Sequence, residues 1–351
     1  MMRCLLALAL LSSAQLLYAT HNRTGYISYE QTGPLTIEAE IITYTRASSR
    51  PADRDTLTIC WGDGVCEKVI RTNGDGVPPS GVELGDDFKF NIYRAEHTYA
   101  SRDTYVISMT DPNRDTGILN VNPPDSEQIA FHLQAMVRLL DPDTEGINTS
   151  PRILNPTIDL INVGQVYAFN PNAYDVDGDS IVYELVAPLQ GINEPVPNFS
   201  HPNEIDSGGN NLFQVDPITG QLTWDTPNLI GKYNIGILFK SYRNGELIDQ
   251  FILDMELLVR AQTTDTEELE WARQNLRIFP NPAFGQSVQV EFSNWQEAVP
   301  YRIFNPLGQF LREGQLRDRI SRIELPVQAG GTYIISFWNG RRWVPQRFQL
   351  L

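Results

Sequence analysis

The sequence predicts an all-β chain of successive β-sandwiches, and three observations carry that prediction. Apolar and polar residues alternate with period two in stretch after stretch, the pattern of a strand with one buried face. The chain holds 25 Gly and 23 Pro among many Thr, Tyr, Val and Ile, a composition of strands punctuated by turns. Asp-Gly and similar breakers fall between the alternating runs, where hairpins need positive φ. A length of 351 residues and 41% hydrophobic content allow two or three domains with proper cores.

Residues 1–19 read as a secretory signal, with Arg3 as the positive start, an apolar core from Cys4 to Leu11, and cleavage expected between Ala19 and Thr20. That apolar run is too short to span a bilayer, and no later stretch is apolar enough to do so. Cys4 leaves with the signal, so Cys60 and Cys66 remain. In an oxidising compartment the first expectation is a disulfide across the turn at Gly62-Asp-Gly64. A metal site is disfavoured, because two sulfurs without a neighbouring His fall short of a zinc set.

The first segment, 20–147, reads as strands. Leu35, Ile37, Ala39 and Ile41 share one face, Leu57 and Ile59 lead into Trp61-Gly-Asp-Gly64, and Tyr105, Ile107 and Met109 share another face. Asn73 to Asp87 is rich in Gly, Pro and Asp, and a surface loop is expected there. Between Ser126 and Leu140, alternation of Ile129, Phe131, Leu133, Ala135, Val137 and Leu139 outweighs a competing helical stripe. His132 is then expected on the outer face, in a structural role. Trp61-Gly-Asp-Gly64, His97-Thr-Tyr99 and Asp103 to Met109 together resemble a polycystic-kidney-disease (PKD) domain, which implies an immunoglobulin-like sandwich.

The second segment, 148–260, carries Asp175-Val-Asp-Gly-Asp179, the turn Asp216-Pro-Ile-Thr-Gly220 ahead of Trp224, and Gly231-Lys-Tyr233 opening a strand. It resembles the cadherin-like, Ig-like modules of bacterial surface proteins. Both segments together look like a secreted-protein type of the Bacteroidota, often linked with gliding or surface assembly. Residues 261–275 are polar and acidic without strand periodicity, and read as a linker.

The last segment, 276–351, opens with Ile278-Phe-Pro-Asn-Pro-Ala283 and continues through Gly308, Leu325-Pro326 and Ala329-Gly-Gly-Thr-Tyr333. Val288, Val290 and Phe292, then Ile323 and Leu325, then Tyr333, Ile335 and Phe337 are expected to face inward in a small sandwich. Pro280 and Pro282 keep the entry extended. The ordered motifs, with Pro280, Asn281, Pro282, Gly308, Gly331 and Tyr333 at the matching places, resemble the C-terminal sorting domain of the type IX secretion system. That resemblance implies a tandem Ig-like body delivered by the type IX machinery to the outer surface of a Gram-negative Bacteroidota cell. There the sorting domain is removed, and the body is attached to lipopolysaccharide or released.

Charge supports two parts of unlike character. The last segment has nine Lys/Arg against five Asp/Glu, +4, while residues 1–275 carry −20. An acidic body repels phosphates, which argues against nucleic acid as a partner.

Asp175, Asp177 and Asp179 are the candidate cation ligands, because alternate carboxylates around a glycine converge on a hard ion such as Ca²⁺. The alternative is a plain turn, since Asp and Gly both form turns well. No cofactor is otherwise required. Four scattered histidines, no H-E-x-x-H and no G-x-S-x-G leave no catalytic constellation, so no enzyme is expected. Trp61, Tyr99 and Trp224 are candidates for a glycan platform, although a large ring more often fills a sandwich core. The expected function is surface binding or adhesion through a protein or glycan ligand. Calcium- or glycan-dependent nutrient capture is the alternative, and a secreted hydrolase stands behind it.

Overall fold

Strand Glu246–Arg260 is the spine of the molecule, 15 residues long and buried over most of its length. One of its edges pairs antiparallel with Gly231–Arg243. Its other edge is shared by three partners in turn. Phe131–Arg138 meets it at Asp249 to Phe251, Asn22–Gln31 at Asp254 and Met255, and Leu160–Asn162 runs parallel from Leu258 to Arg260. The hairpin that creates this spine turns at Asn244-Gly245, whose φ values of 53° and 84° form the positive-φ pair that a tight two-residue hairpin demands.

The computed structural model describes residues 22–50, 53–155, 157, 160–205, 211–261, 271–272, 275–281, 283, 287–293, 298–305, 310–325, 331–340 and 343–350. The signal, its cleavage point Ala19–Thr20, His21, Pro282, Gly308 and most of the 261–275 linker lie outside them.

The large sheet runs, edge to edge, Cys66–Ile70, Thr56–Cys60, Thr104–Asp111, Phe131–Arg138, Glu246–Arg260, Asn22–Gln31, Thr36–Arg46, Phe88–Thr98 and Val82–Gly85. Ser180–Val186 extends it through Gly231–Arg243. The 147/148 boundary read from sequence is therefore crossed by hydrogen bonds, because Glu246–Arg260 pairs along one edge with two strands of the first segment, Phe131–Arg138 and Asn22–Gln31. Smaller sheets, such as Tyr167–Phe169 with Leu222–Trp224 and Phe213–Val215, pack opposite. The core between them holds Ile37, Ile41, Trp61, Phe131, Trp224, Phe239 and Leu253. The chain is all-β sandwich; helix is confined to short stretches such as the single turns at Ser126–Gln128 and Pro202–Ile205 and the helical residues Trp271, Ala272 and Asn275. No described helix is long and apolar enough to cross a membrane.

Residues 276–350 form a second sandwich. Leu276–Phe279, Ser287–Phe292 and Ile320–Glu324 make one sheet; Phe310–Leu316, Val299–Phe304, Gly331–Trp338 and Trp343–Leu350 make the other. Val288, Val290, Phe292, Ile323, Leu325, Tyr333, Ile335 and Phe337 all point into its core, as alternation predicts. Phe304 and Ile334, from the same segment, join the core of the body instead.

Two local expectations need correction. The stretch 73–87 is not wholly a loop. Its end, Val82–Gly85, pairs with Phe88–Thr98, with Leu84 buried as its anchor. His132 does not face solvent, being 3% exposed. The strand Phe131–Arg138 is flanked by neighbours on both edges, and the hairpin of Leu189–Gly191 and Glu194–Pro195 reaches it at His132. Alternation within one strand cannot reveal that a remote hairpin will cover its polar face.

Candidate functional site

The clearest concentration of charge is the turn Asp175–Asp179. Gly178, at φ 83°, reverses the chain so that the carboxylates of Asp175, Asp177 and Asp179 bring ligand atoms within 4.8 Å of one another. Asp175 Oδ1 accepts the backbone N–H groups of Asp177 and Asp179 at 2.9 and 3.2 Å, which makes the turn self-supporting. Its Oδ2 is buried without a hydrogen bond, and burial pushes the carboxyl up. Asp177 Oδ2 accepts the N–H of Thr149 at 2.6 Å.

Arg243, which sequence reading did not single out, reaches into this turn. Its Nε and Nη2 donate to the two oxygens of Asp179 at 2.8 and 2.6 Å, and Nη2 lies 3.7 Å from Asp177 Oδ2. Its Nη1 donates to the carbonyls of Glu145 and Ile147 at 2.8 and 3.0 Å. Ser180 pairs with Tyr242, so Arg243 follows directly opposite Asp179 across the two strands. The available sequence signal was Asn244-Gly245, which ends the strand immediately after Arg243.

A second group of charges lies inside the body. Arg23 pairs with Glu256 at 3.0 Å and Arg114 with Asp254 at 2.6 Å, all four side chains being nearly fully buried. Asp115 receives Lys232 at 2.8 Å and Arg46 at 2.9 Å. Burial, reinforced by the Asp115 carboxylate, pushes Glu256 up. Burial pushes Asp249 up to about 7, and Ser241 donates to it at 2.8 Å. These groups hold one another in the buried interior of the body.

The W-G-D-G corner is a packing device. Trp61 and Tyr99 are buried, with the Tyr99 hydroxyl donating to the Trp61 carbonyl at 3.0 Å. His97 stacks on Trp61 with ring centroids 4.9 Å apart and meets Asp63 at 2.8 Å. Trp224 is buried as well, so none of the three candidate rings offers a glycan a face. Cys60 and Cys66 are directly opposed across the hairpin and form a disulfide, Cα atoms 4.0 Å apart.

The described histidines do not converge. His97 sits at that corner, and His201 packs against Phe199. His132 shares a 2.7 Å hydrogen bond with the Thr110 hydroxyl, and burial pushes its imidazole down to about 4.

In the C-terminal sandwich, Asn281 has a definite task. Its Oδ1 accepts the N–H of Gln349 at 2.8 Å while Ala283 N–H donates to the Gln349 carbonyl at 2.6 Å, so the opening motif is stitched to the last strand. Tyr333 is buried against Phe348, and Gly331 begins the strand that carries it. Pro280 is exposed. A cleft of about 720 Å³ lies between this sandwich and the body, lined by Thr72, Glu83, Arg94, Arg302, Phe310 and Glu313.

No family model matches the chain, and no curated protein matches it. Among solved structures, the I67–I69 I-band fragment of titin aligns at 8% identity and TM-score 0.17, covering 94% of this chain and 96% of that one. Immunoglobulin domains 1–5 of Sidekick-1 align at 13% identity and TM-score 0.20, covering 94% of this chain and 59% of that one. The BSP domain of a biofilm-associated protein aligns at 8% identity and TM-score 0.19, covering 95% and 82%. Superpositions at such scores carry no argument about ancestry or activity.

Proposed function

We propose that the chain is an exported cell-surface protein that works by binding, in adhesion or gliding, and that 276–351 is its type IX sorting domain. The observation that carries this is the C-terminal sandwich: its own apolar core, its opening motif tied to its final strand through Asn281, and a charge sign opposite to that of the acidic body. An acidic, β-rich body with a cross-strand disulfide suits an oxidising exterior. The partners that follow are the type IX machinery, lipopolysaccharide as the attachment point, and a surface protein or glycan as ligand. Nucleic acid is not among them, and no catalysis is assigned.

Localisation tests this reading. In a host with type IX secretion, the full chain is expected at the cell surface, and a chain ending at Asn275 is expected to stay in the periplasm. Surface display of the shortened chain would overturn it.

A further inference from the structure

We infer that Arg243 is the resident cation of the Asp175–Asp179 turn, so that the joint between residues 145–150 and the second half of the body holds without calcium. Five oxygens lie around the Arg243 guanidinium. Both Asp179 oxygens, one Asp177 oxygen and the carbonyls of Glu145 and Ile147 surround it at 2.6 to 3.7 Å. Carboxylates mixed with main-chain carbonyls are the donor set that a hard divalent ion selects. Here a planar fork of N–H groups takes them, and two parallel hydrogen bonds to Asp179 make the strongest form of that contact.

Counting oxygens decides between the two cations. A calcium ion asks for about six to eight oxygens at about 2.3–2.6 Å. With Arg243 in place, Asp175 Oδ1 is committed to two backbone N–H groups and Asp177 Oδ2 to Thr149. Asp175 Oδ2 and Asp177 Oδ1 are the carboxylate oxygens of the turn outside these contacts, and two oxygens fall well short of the about six to eight that calcium takes. The turn therefore does not fit the ion that its sequence suggests.

The location gives the contact a purpose. Residues 145–150 carry the chain from the first segment into the second, and they are tied down on both sides. Arg243 holds the carbonyls of Glu145 and Ile147, Asp177 holds Thr149, and Ser150 N–H donates to the Tyr29 carbonyl at 3.0 Å. The joint carries its own positive charge on a hairpin arm, so it keeps its shape where calcium is scarce or chelated.

The test is calorimetry and terbium luminescence on the full chain. Wild type is expected to melt at one temperature in EDTA and in millimolar calcium, and to show no terbium binding that Asp179→Asn abolishes. Arg243→Ala is expected to melt several degrees lower in EDTA, to recover part of that loss in calcium, and to gain terbium luminescence. A calcium-dependent rise in the wild-type melting temperature that disappears in Asp179→Asn would overturn the inference. So would an Arg243→Ala protein that folds and gains no response to calcium or terbium, since its oxygens would then not form a cation's seat. The wild-type titration is decisive by itself if the variant does not fold.

Discussion

The body and the C-terminal sandwich are both two-layer β-structures, yet they place charge oppositely. In the body, Arg23–Glu256 and Arg114–Asp254 are buried to within a few per cent, and Asp115 is wholly buried beneath Lys232 and Arg46. In the C-terminal sandwich the described ion pairs, such as Arg302–Glu313 and Arg322–Glu324, lie at the surface. Exposed pairs are worth little, whereas a buried charge that loses its partner is costly. The small sandwich is therefore specified by apolar alternation, and the body by alternation plus a set of charges that must find each other across the chain.

The sharpest way to break that contrast is to orphan a buried charge. Arg114→Met leaves Asp254 unpaired and strips donors from Asn234 and the Leu189 carbonyl. It is expected to cost the body about 3–5 kcal/mol, read by chemical denaturation. A loss no larger than that of a surface pair would erase the distinction between the two regions.

Ile335→Ala probes the other side. Ile335 is wholly buried in the apolar core of the small sandwich, and the truncation is expected to cost about 2–4 kcal/mol. The calorimetric transition of that sandwich should fall while the body's stays in place. Equal destabilisation of both would mean that the two cores unfold as one.

The smallest expected effect is a dependence on pH confined to the body. Asp249 is raised from 3.8 to about 7, so the folded state holds its proton more tightly than the unfolded chain does. Its contribution is therefore present below about 4 and is lost as pH rises towards about 7. His132, lowered from 6.5 to about 4, works with the opposite sign: its contribution is present above about 6.5 and is lost as pH falls towards about 4. Glu256, raised from 4.5 to about 8 by burial, has the same sign as Asp249, so the wild-type curve sums opposing slopes. Asp249→Asn is expected to remove its own share, so that between about 4 and 7 stability falls less steeply with pH than in wild type, as followed by urea denaturation at each pH. An unchanged profile would remove Asp249 from the account.

Legibility in the sequence follows the same contrast. The inward faces at Val288, Val290, Phe292, Tyr333, Ile335 and Phe337 were readable because each depends only on the spacing of apolar residues within one strand. The Cys60–Cys66 pairing was the first expectation because these two cysteines remain once the signal has left, and the hairpin register brings them face to face. Burial of Trp61, Tyr99 and Trp224 was the expected fate of large rings in a sandwich. His132 was misplaced because its cover comes from residues 189–195. Arg243 went unnoticed because only the register of two strands sets it opposite Asp179.

By itself the sequence determined the all-β class, the apolar faces of strands such as Val288 to Phe292 and Tyr333 to Phe337, and the opposite net charge of 276–351, all of them properties of local period and composition. Tertiary structure alone decided that Glu246–Arg260 would pair along one edge with both Asn22–Gln31 and Phe131–Arg138, and that Arg23 would meet Glu256 across 233 positions. The physical reason is that period two says which face of a strand is buried, while its edge hydrogen bonds are the same for every sequence. Partner choice is settled only when remote charges and side chains must fit together, and at the Asp175 turn the fit brought in an arginine.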